Sequence, residues 1–342
     1  PTIGWIWDAG ENGNKTYSVK VVSDSGNKYR FDDYGTSAIT LDLEEGSTYV
    51  FDQSDSSNAG HPLRFSTTAN GTHGGGSEYT TGVTVTGVPG QAGAKTTIVV
   101  AASAPTLFYY CSVHSGMGGQ ANTNSTAGST NLDGTIQAIV RANPSAGFSI
   151  VTYPSGSSSG NYTVGHGLNA VPQVIIHKTL SSGNWWMYHK EVVTDLREHM
   201  QINSSAGLQT NSANFWGAAF PTNTVFGTRV GDLIGTNQTA LAYCFAPVEG
   251  YSRFGEYVGN GNANGPMVYT GFRPKFIMVK ANGSGHWVAM DTSRDVHNPM
   301  EDRIKWDAAD AESNTPAWDG LSNGFKIRST YGFSNSNNTK YI

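Results

Sequence analysis

Short segments in which polar and apolar residues alternate constrain the fold of this chain more than any other feature. Two clear examples are Tyr17-Ser-Val-Lys-Val21 and Ile39-Thr-Leu-Asp-Leu43. A period of two is typical of a β-strand with one buried face. The sequence therefore predicts an all-β protein of many short strands joined by turns. In the first 121 residues the predicted strands are Tyr17–Ser23, Lys28–Asp32, Ala38–Leu43, Thr48–Gln53, Leu63–Ser66, Gly82–Thr86, Thr96–Ala101 and Thr106–Cys111.

The composition supports this fold class and excludes several functions. Charged residues make up 14% of the 342 residues, against about 25% in an average globular protein. A mostly helical protein would carry more Glu, Lys, Leu and Ala. The formal net charge of -5 provides no electrostatic basis for binding nucleic acid. No apolar run reaches the roughly 18 residues of a membrane span. We expect neither a nucleic-acid partner nor a membrane span.

A change of composition divides the chain after its first third. Residues 1–121 contain eight predicted strands, a number that suits a β-sandwich or a small barrel. Residues 122–134 consist almost entirely of Asn, Thr, Ser, Gly and Ala. Such a polar segment is typical of a linker between domains. We therefore predict a first domain over 1–121 and a linker over 122–134.

Beyond this segment the sequence repeats itself. Val171-Pro-Gln-Val-Ile-Ile-His-Lys178 matches Arg273-Pro-Lys-Phe-Ile-Met-Val-Lys280, and Trp185 has a counterpart in Trp287 at the same displacement of 102 positions. A spacing near 100 residues is the size of a domain and too long for one solenoid repeat. The sequence therefore predicts two related β-sandwich units, a first repeat over 135–250 and a second over 251–342.

Three further expectations concern helices and chain ends. Two segments, Glu191–Met200 and Met300–Ala311, are predicted to form short helices at corresponding places in the repeats. Tyr243-Cys-Phe-Ala-Pro-Val248 has no counterpart after Ile342, so we expect the last strand of the second repeat to be truncated. Either the sequence continues, which we favour, or a neighbouring chain covers the exposed edge. Pro1 is not preceded by Met, which suggests processing or a longer gene product.

One group of residues has a definite chemistry. Cys111, His114 and Met117 follow one another at intervals of three, and His61 stands in Gly60-His-Pro62. A thiolate, two imidazoles and a thioether are the ligands of a trigonal copper site with a long axial sulfur bond. The alternative is a small polar cluster that holds no metal. The four ligand types favour a copper site, provided that His61 meets the Cys111 loop at one end of a sandwich.

These residues resemble a known family. Residues 15–121, with Tyr110-Cys-x2-His-x2-Met117 and Gly60-His-Pro62, look like a cupredoxin, the blue-copper fold. The resemblance implies a Greek-key β-sandwich with His61, Cys111 and His114 as equatorial ligands and Met117 as the axial ligand. It implies copper as the cofactor. A structural or scavenged copper ion is the expected role, because the sequence shows no second redox centre.

Aromatic residues form the other candidate site. Trp185, Trp186, Tyr188 and Trp287 are predicted either to stack on sugar rings or to fill the core. The recurrence of Trp185 and Trp287 in both repeats favours the core. No nucleophile with a nearby base and no phosphate-binding loop occurs in the sequence. We therefore expect no enzymatic activity.

Nearly the whole sequence also resembles structural proteins of marine tailed bacteriophages, including cyanophages and pelagiphages. Tyr29-Arg-Phe-Asp-Asp-Tyr-Gly-Thr-Ser-Ala-Ile-Thr-Leu-Asp42 and the segment Phe51–Phe65 carry this resemblance in the first part. Thr163-Val-Gly-His-Gly-Leu168, Ala242–Ser252 and Gly271-Phe-Arg-Pro274 carry it in the repeats. The resemblance implies a virion component without saying which part of the particle.

The sequence thus predicts a non-enzymatic protein of the virion surface, namely a tail fibre, a head fibre or a capsid decoration. Its expected partners are other virion proteins, further copies of itself, with a trimer favoured, and a host-surface glycan. Two alternatives from other classes stay open. The first is a copper redox protein or copper carrier of a bacterial surface. The second is a carbohydrate-binding module in the repeats.

Overall fold

The computed structural model describes residues 7, 9–10, 14–125, 128–181 and 183–342. As predicted, these residues form an all-β protein, and they contain no α-helix. The only helical turns among them are two short 3-10 segments, Ser56–Asn58 and Gly71–Gly74. None of the described helical segments is long and apolar enough to cross a bilayer. The chain divides into two compact units, the first formed by residues 1–143, 149–153 and 163–167 and the second by the remainder.

The first unit contains two sheets that share one core. A five-stranded sheet has the order β2-β1-β4-β7-β6 and a four-stranded sheet the order β3-β9-β8-β5. The alternation predicted in β1 is confirmed, because Tyr17 and Val19 are fully buried while Ser18 is exposed. The strands are β1 (Lys15–Ser23), β2 (Asn27–Phe31), β3 (Leu41–Glu44), β4 (Thr48–Asp52), β5 (Leu63–Ser66), β6 (Val83–Thr86), β7 (Lys95–Val99), β8 (Leu107–Cys111), β9 (Gly119–Ser125), β10 (Ser129–Asn131) and β11 (Ala138–Asn143).

The structure differs from the sequence prediction at the supposed linker. Strand β9 pairs with β3 and β8, and β10 pairs with β11, so most of the described part of 122–134 lies in sheets. The Thr123 hydroxyl is buried and donates to the carbonyl of Ala104 at 2.9 Å. The carbonyl of Thr130 accepts a hydrogen bond from the Tyr17 hydroxyl at 2.9 Å. Polar residues are buried here because their polar groups have partners.

The second unit contains two larger sheet systems. Strands β19-β14-β15-β16-β17 are consecutive neighbours in one, and β21-β26-β25-β24-β23-β22 form a six-stranded sheet that curls into a half-barrel. The core of the half-barrel includes Met290, Met300 and Trp318. The residues of β12 (Phe148–Pro154) and β13 (Gly160–Gly165) are divided between the two units. The strands of the second unit are β14 (Val174–Thr179), β15 (Trp185–His189), β16 (Glu198–Gln201), β17 (Gln209–Thr210), β18 (Val225–Val230), β19 (Thr239–Phe245), β20 (Tyr257–Val258), β21 (Met267–Tyr269), β22 (Phe276–Val279), β23 (Val288–Asp291), β24 (Met300–Lys305), β25 (Ser313–Leu321), β26 (Gly324–Ile327) and β27 (Lys340–Tyr341).

The predicted helices over Glu191–Met200 and Met300–Ala311 were wrong. Strand β16 starts within the last residues of the first segment, and strand β24 occupies the first half of the second segment. In β16, Met200 pairs with Met187 of β15 and is fully buried. The Glu198 carboxylate accepts the backbone N–H groups of two preceding residues, at 2.8 and 2.9 Å, and so stabilises a turn. Tertiary pairing and local side-chain hydrogen bonds outweigh the helix propensity of these segments, because propensity is a weak determinant of structure.

Strands at corresponding places of the second unit pair in the same register. Val174 lies opposite His189 in β14 and β15, and Phe276 lies opposite Asp291 in β22 and β23. Both pairs are related by the displacement of 102 positions seen in the sequence. Strand β19 pairs with β14 over six residue pairs, whereas β27 is two residues long and meets Lys280 and Ala281 through Tyr341 and Ile342.

Candidate metal centre

Sheet pairing brings the predicted ligands together in the first unit. His61 lies in the loop between the 3-10 turn Ser56–Asn58 and strand β5, and Cys111 is the last residue of β8. Strand β5 pairs with β8 so that Leu63 lies opposite Cys111. The loop that precedes Leu63 therefore reaches the same edge of the sheet as the Cys111 side chain.

The distances between ligand atoms suit a single metal ion. The Cys111 Sγ atom lies 3.9 Å from Nδ1 of His61 and 3.8 Å from Nδ1 of His114. Metal–sulfur bonds of about 2.3 Å and metal–nitrogen bonds of about 2.0 Å, at angles of 110–120°, place sulfur and nitrogen about 3.5–3.7 Å apart. The three ligand atoms lie within 4.8 Å of one another. Within the described part of the chain, no other group of three or more His, Cys, Asp or Glu residues is arranged to hold a metal ion in this way.

The three candidate metal ligands differ in burial. Cys111 is fully buried, His61 is half-buried and His114 is exposed. Burial, together with the neighbouring His114, lowers the pKa of His61. Its imidazole is therefore neutral at pH 7 and available as a ligand. The backbone N–H of His114 donates to the Cys111 sulfur at 3.4 Å. The group could hold a metal ion that enters from the His114 side.

A buried amide holds the loop that carries His61. Gln53 is 1% exposed and donates from Nε2 to the carbonyl of His61 at 2.8 Å. Its Oε1 accepts the backbone N–H of Leu63 at 3.0 Å. The Tyr29 hydroxyl donates to the same His61 carbonyl at 2.8 Å. Burial, and to a smaller extent the nearby Cys111, raises the pKa of Tyr29, so this hydroxyl remains a donor. Gln53 and Tyr29 thus orient the half-buried imidazole.

We expect Gln53→Leu to weaken metal binding while leaving all three ligands in place. The leucine fills the space but cannot bind the His61 carbonyl or the Leu63 N–H. Loss of such an outer partner costs about 10–100-fold in metal affinity. Calorimetric titration with Cu(II) measures the change, and Gln91→Leu, at an exposed glutamine of the same unit, is the control. Equal affinities for the two variants would contradict this role of Gln53.

Hydrogen bonds from Asn70 and His73 fix the loop that follows Cys111. Asn70 donates from Nδ2 to the Ser115 hydroxyl at 2.8 Å and accepts the N–H of Gly116 at 2.8 Å. The His73 ring has Nε2 at 3.0 Å from the Cys111 carbonyl. These supporting residues, like Gln53, were not found by sequence reasoning. Their only common signal is a polar side chain next to a strand end or turn.

Met117 lies in the same core as Cys111. Its side chain is 1% exposed, and its carbonyl accepts the backbone N–H of Tyr29 at 3.0 Å. The Met117 side chain is therefore part of the core and follows Cys111 and His114 closely along the chain. The axial role of Met117 stays a prediction.

Comparison with protein families concerns the other part of the chain. Residues 121–342 match the model of the Domain of unknown function (DUF7483). The chain belongs to the DUF7483 family. No curated protein and no solved structure matches it. The metal centre lies before the first residue that matches DUF7483, so this family match provides no information on the centre.

The predicted aromatic site lies within the DUF7483 part. Tyr188 is 5% exposed and Trp287 is 2% exposed, so neither offers a ring face to a sugar. Trp185 and Trp186 are half-buried, and Trp185 stacks on Tyr243 with ring centroids 6.3 Å apart. The four rings therefore do not form one exposed platform in this DUF7483 protein.

Proposed function

We propose that this chain is a non-enzymatic protein of a virion surface whose first unit holds a copper ion. The observation that carries the copper assignment is the triangle of Cys111 Sγ and the Nδ1 atoms of His61 and His114, with sulfur–nitrogen distances of 3.9 and 3.8 Å. A metal ion in this triangle would link the loop before β5 to the end of β8.

The donor set favours copper over zinc. Structural zinc sites have four strong ligands in a tetrahedron. Here one thiolate and two imidazoles would lie in the equatorial plane, and the buried Met117 would supply a weak axial sulfur. The resemblance to cupredoxins supports the same set of ligands. Two sheets around one core, with the ligands at the end of β8, are consistent with a cupredoxin-like Greek-key sandwich.

We favour a structural role for the ion. Cys111 is buried in the core, and a bound ion would stabilise the folded first unit because the ligands converge only after folding. The second candidate is a copper carrier or redox protein of a bacterial surface. The exposed edge of His114 favours this candidate, since it leaves a path for exchange of the ion or an electron.

The virion assignment rests on likeness to structural proteins of marine tailed phages and is supported by the all-β fold. The repeats are consistent with two related β units of a projecting part, whether tail fibre, head fibre or capsid decoration. In this proposal its partners are other virion proteins, further copies of itself and a host-surface glycan. The matching DUF7483 description specifies no function.

One experiment separates these proposals. Phage particles are purified with the wild-type chain and with Cys111→Ser, and copper is measured on both. We expect both particles to contain the chain and only the wild type to carry one copper per copy. Absence of the protein from particles would overturn the virion proposal. Copper-free wild-type particles would overturn a structural copper ion on the virion surface.

A further inference from the structure

A hairpin of the second unit is docked on a nearby loop through main-chain groups. We define the second hairpin as Lys280–Trp287 and the first strip as Gln201–Leu208. Trp287 donates from Nε1 to the carbonyl of Gln201 at 2.7 Å. The N–H of Gly285 donates to the carbonyl of Ser205 at 2.8 Å, and the N–H of Leu208 donates to the carbonyl of Asn282 at 2.9 Å. Almost every group that the hairpin recognises on the strip belongs to the backbone.

The same two elements occur a second time. The first hairpin comprises residues 178–181 and 183–185, displaced by 102 positions from the corresponding residues of the second hairpin. The second strip is Lys305–Glu312, and two bonds establish its equivalence with the first strip. Ile202 N–H donates to the Trp185 carbonyl, and Trp306 N–H to the Trp287 carbonyl, each at 2.9 Å. The next residue of each strip accepts the N–H of the same tryptophan through a side-chain oxygen, at 3.0 and 3.2 Å. Each hairpin thus holds its own strip in the same way.

Only one of the two hairpins is covered by the other repeat. In the second hairpin Lys280 is fully buried and Trp287 is 2% exposed. In the first hairpin Leu180 is 55% exposed and Trp185 is half-exposed. Among the residues that the structure describes, the Nε1 group of Trp185 has no hydrogen-bond partner, whereas that of Trp287 does. The first hairpin therefore leaves exposed the positions that correspond to those by which the second hairpin binds its strip.

The second strip is the matching open element. Ala309 and Glu312, which correspond to Ser205 and Leu208 of the first strip, are both exposed. Its sequence differs from that of the first strip, but docking uses backbone carbonyl and N–H groups, which every residue supplies. The two strips have the same length and the same register against their tryptophans. The second strip can therefore offer the same row of acceptors.

We propose that the first hairpin of one copy docks on the second strip of a second copy of this chain. Trp185 Nε1 then donates to the Lys305 carbonyl, Gly183 N–H to the Ala309 carbonyl, and Glu312 N–H to the Leu180 carbonyl. Because hairpin and strip are different surfaces, the contact is heterologous and produces a closed ring or a filament. A ring of three would be the trimer expected of a virion fibre. The contact does not involve the copper ligands.

Disulfide trapping tests this contact directly. Leu180→Cys and Glu312→Cys proteins are purified separately and mixed under a mild oxidant. We expect a disulfide that joins one copy of each variant to form about tenfold faster than disulfides between two copies of either variant incubated by itself. The control is the chain with Asn282→Cys and Leu208→Cys, which joins the occupied contact within one copy. If this control closes and the mixture forms no mixed dimer, the proposal is wrong.

The oligomeric state provides the second readout. Leu180→Asp places a charge in the proposed contact and is expected to weaken association at least about tenfold by light scattering. Val171→Asp is the matched control, since Val171 is 49% exposed and precedes β14, whereas Leu180 follows it. Association of this variant should equal that of the wild type. A wild-type chain that is monomeric at its highest soluble concentration would overturn the proposal, as would equal effects of the two substitutions.

Discussion

Copper is expected to raise the unfolding temperature of the first unit, and Cys111→Ser to remove most of that rise. A ligand that binds only the folded state stabilises it by about 4 kcal/mol when its concentration is 1,000 times Kd. The ligand atoms of His61, Cys111 and His114 come from the loop before β5, the end of β8 and the loop after β8, and they meet only in the folded unit. Replacing the buried thiol by a hydroxyl removes the soft ligand that favours copper.

The matched control uses the other cysteine. Cys244 lies on β19 of the second unit and is also fully buried. Cys244→Ser is expected to keep the full response to copper, whatever it does to the stability of the metal-free protein. Calorimetric scans with and without Cu(II), and the thiolate absorption band of the copper form, measure both variants. A Cys111→Ser protein that responds to copper as the wild type does would contradict the assignment.

Part of this centre could be predicted because its signal is local. Cys111, His114 and Met117 lie within seven residues, and the spacing itself indicates a ligand loop. His61 required one spatial assumption, that its loop meets the end of β8. The structure confirms this assumption with the sulfur–nitrogen distance of 3.9 Å. The role of Gln53 could not be predicted, because its partners depend on how three loops pack.

The strands were predictable for a similar reason, and the failures have a physical cause. Alternation such as that around Tyr17 reflects one buried face and is visible in the sequence. The segments ending at Met200 and beginning at Met300 contain helix-forming residues, but helix propensity is a weak determinant, and pairing with neighbouring strands decides their structure. Thr123 and Thr130 looked like linker residues because their hydrogen-bond partners are distant in sequence.

The second large effect is expected in acid, and it arises from two buried histidines of the second unit. His177 is fully buried and His189 is 4% exposed. Burial, with a smaller contribution from the neighbouring Lys178, lowers the pKa of His177 to about 3. Burial, with a smaller contribution from Lys190, lowers the pKa of His189 to about 4. Both imidazoles are therefore neutral in the folded protein around pH 6.5, where the same imidazoles take up protons in the unfolded chain.

The direction of the pH dependence follows from these values. Below about pH 6.5 the unfolded chain binds protons on both imidazoles and the folded chain does not. The free energy of unfolding therefore falls as the pH falls from about 6.5 towards 4 for His189 and 3 for His177. The slope is about 1.4 kcal/mol per pH unit for each imidazole. Between pH 7 and pH 5, His177 alone accounts for about 2 kcal/mol.

His177→Val tests this contribution with the residue that the second repeat itself contains. Val279 occupies the corresponding position and is 2% exposed, so a valine is compatible with this strand environment. Valine takes up no proton, and the loss of unfolding free energy between pH 7 and pH 5 should shrink by about 2 kcal/mol. Urea unfolding at pH 7 and at pH 5 measures the two free energies of unfolding. A change in packing that affects both equally cancels from their difference. His297→Val, at an exposed histidine of the same unit, should change the loss little. A His177→Val protein with the wild-type loss would show that His177 is protonated in the folded state.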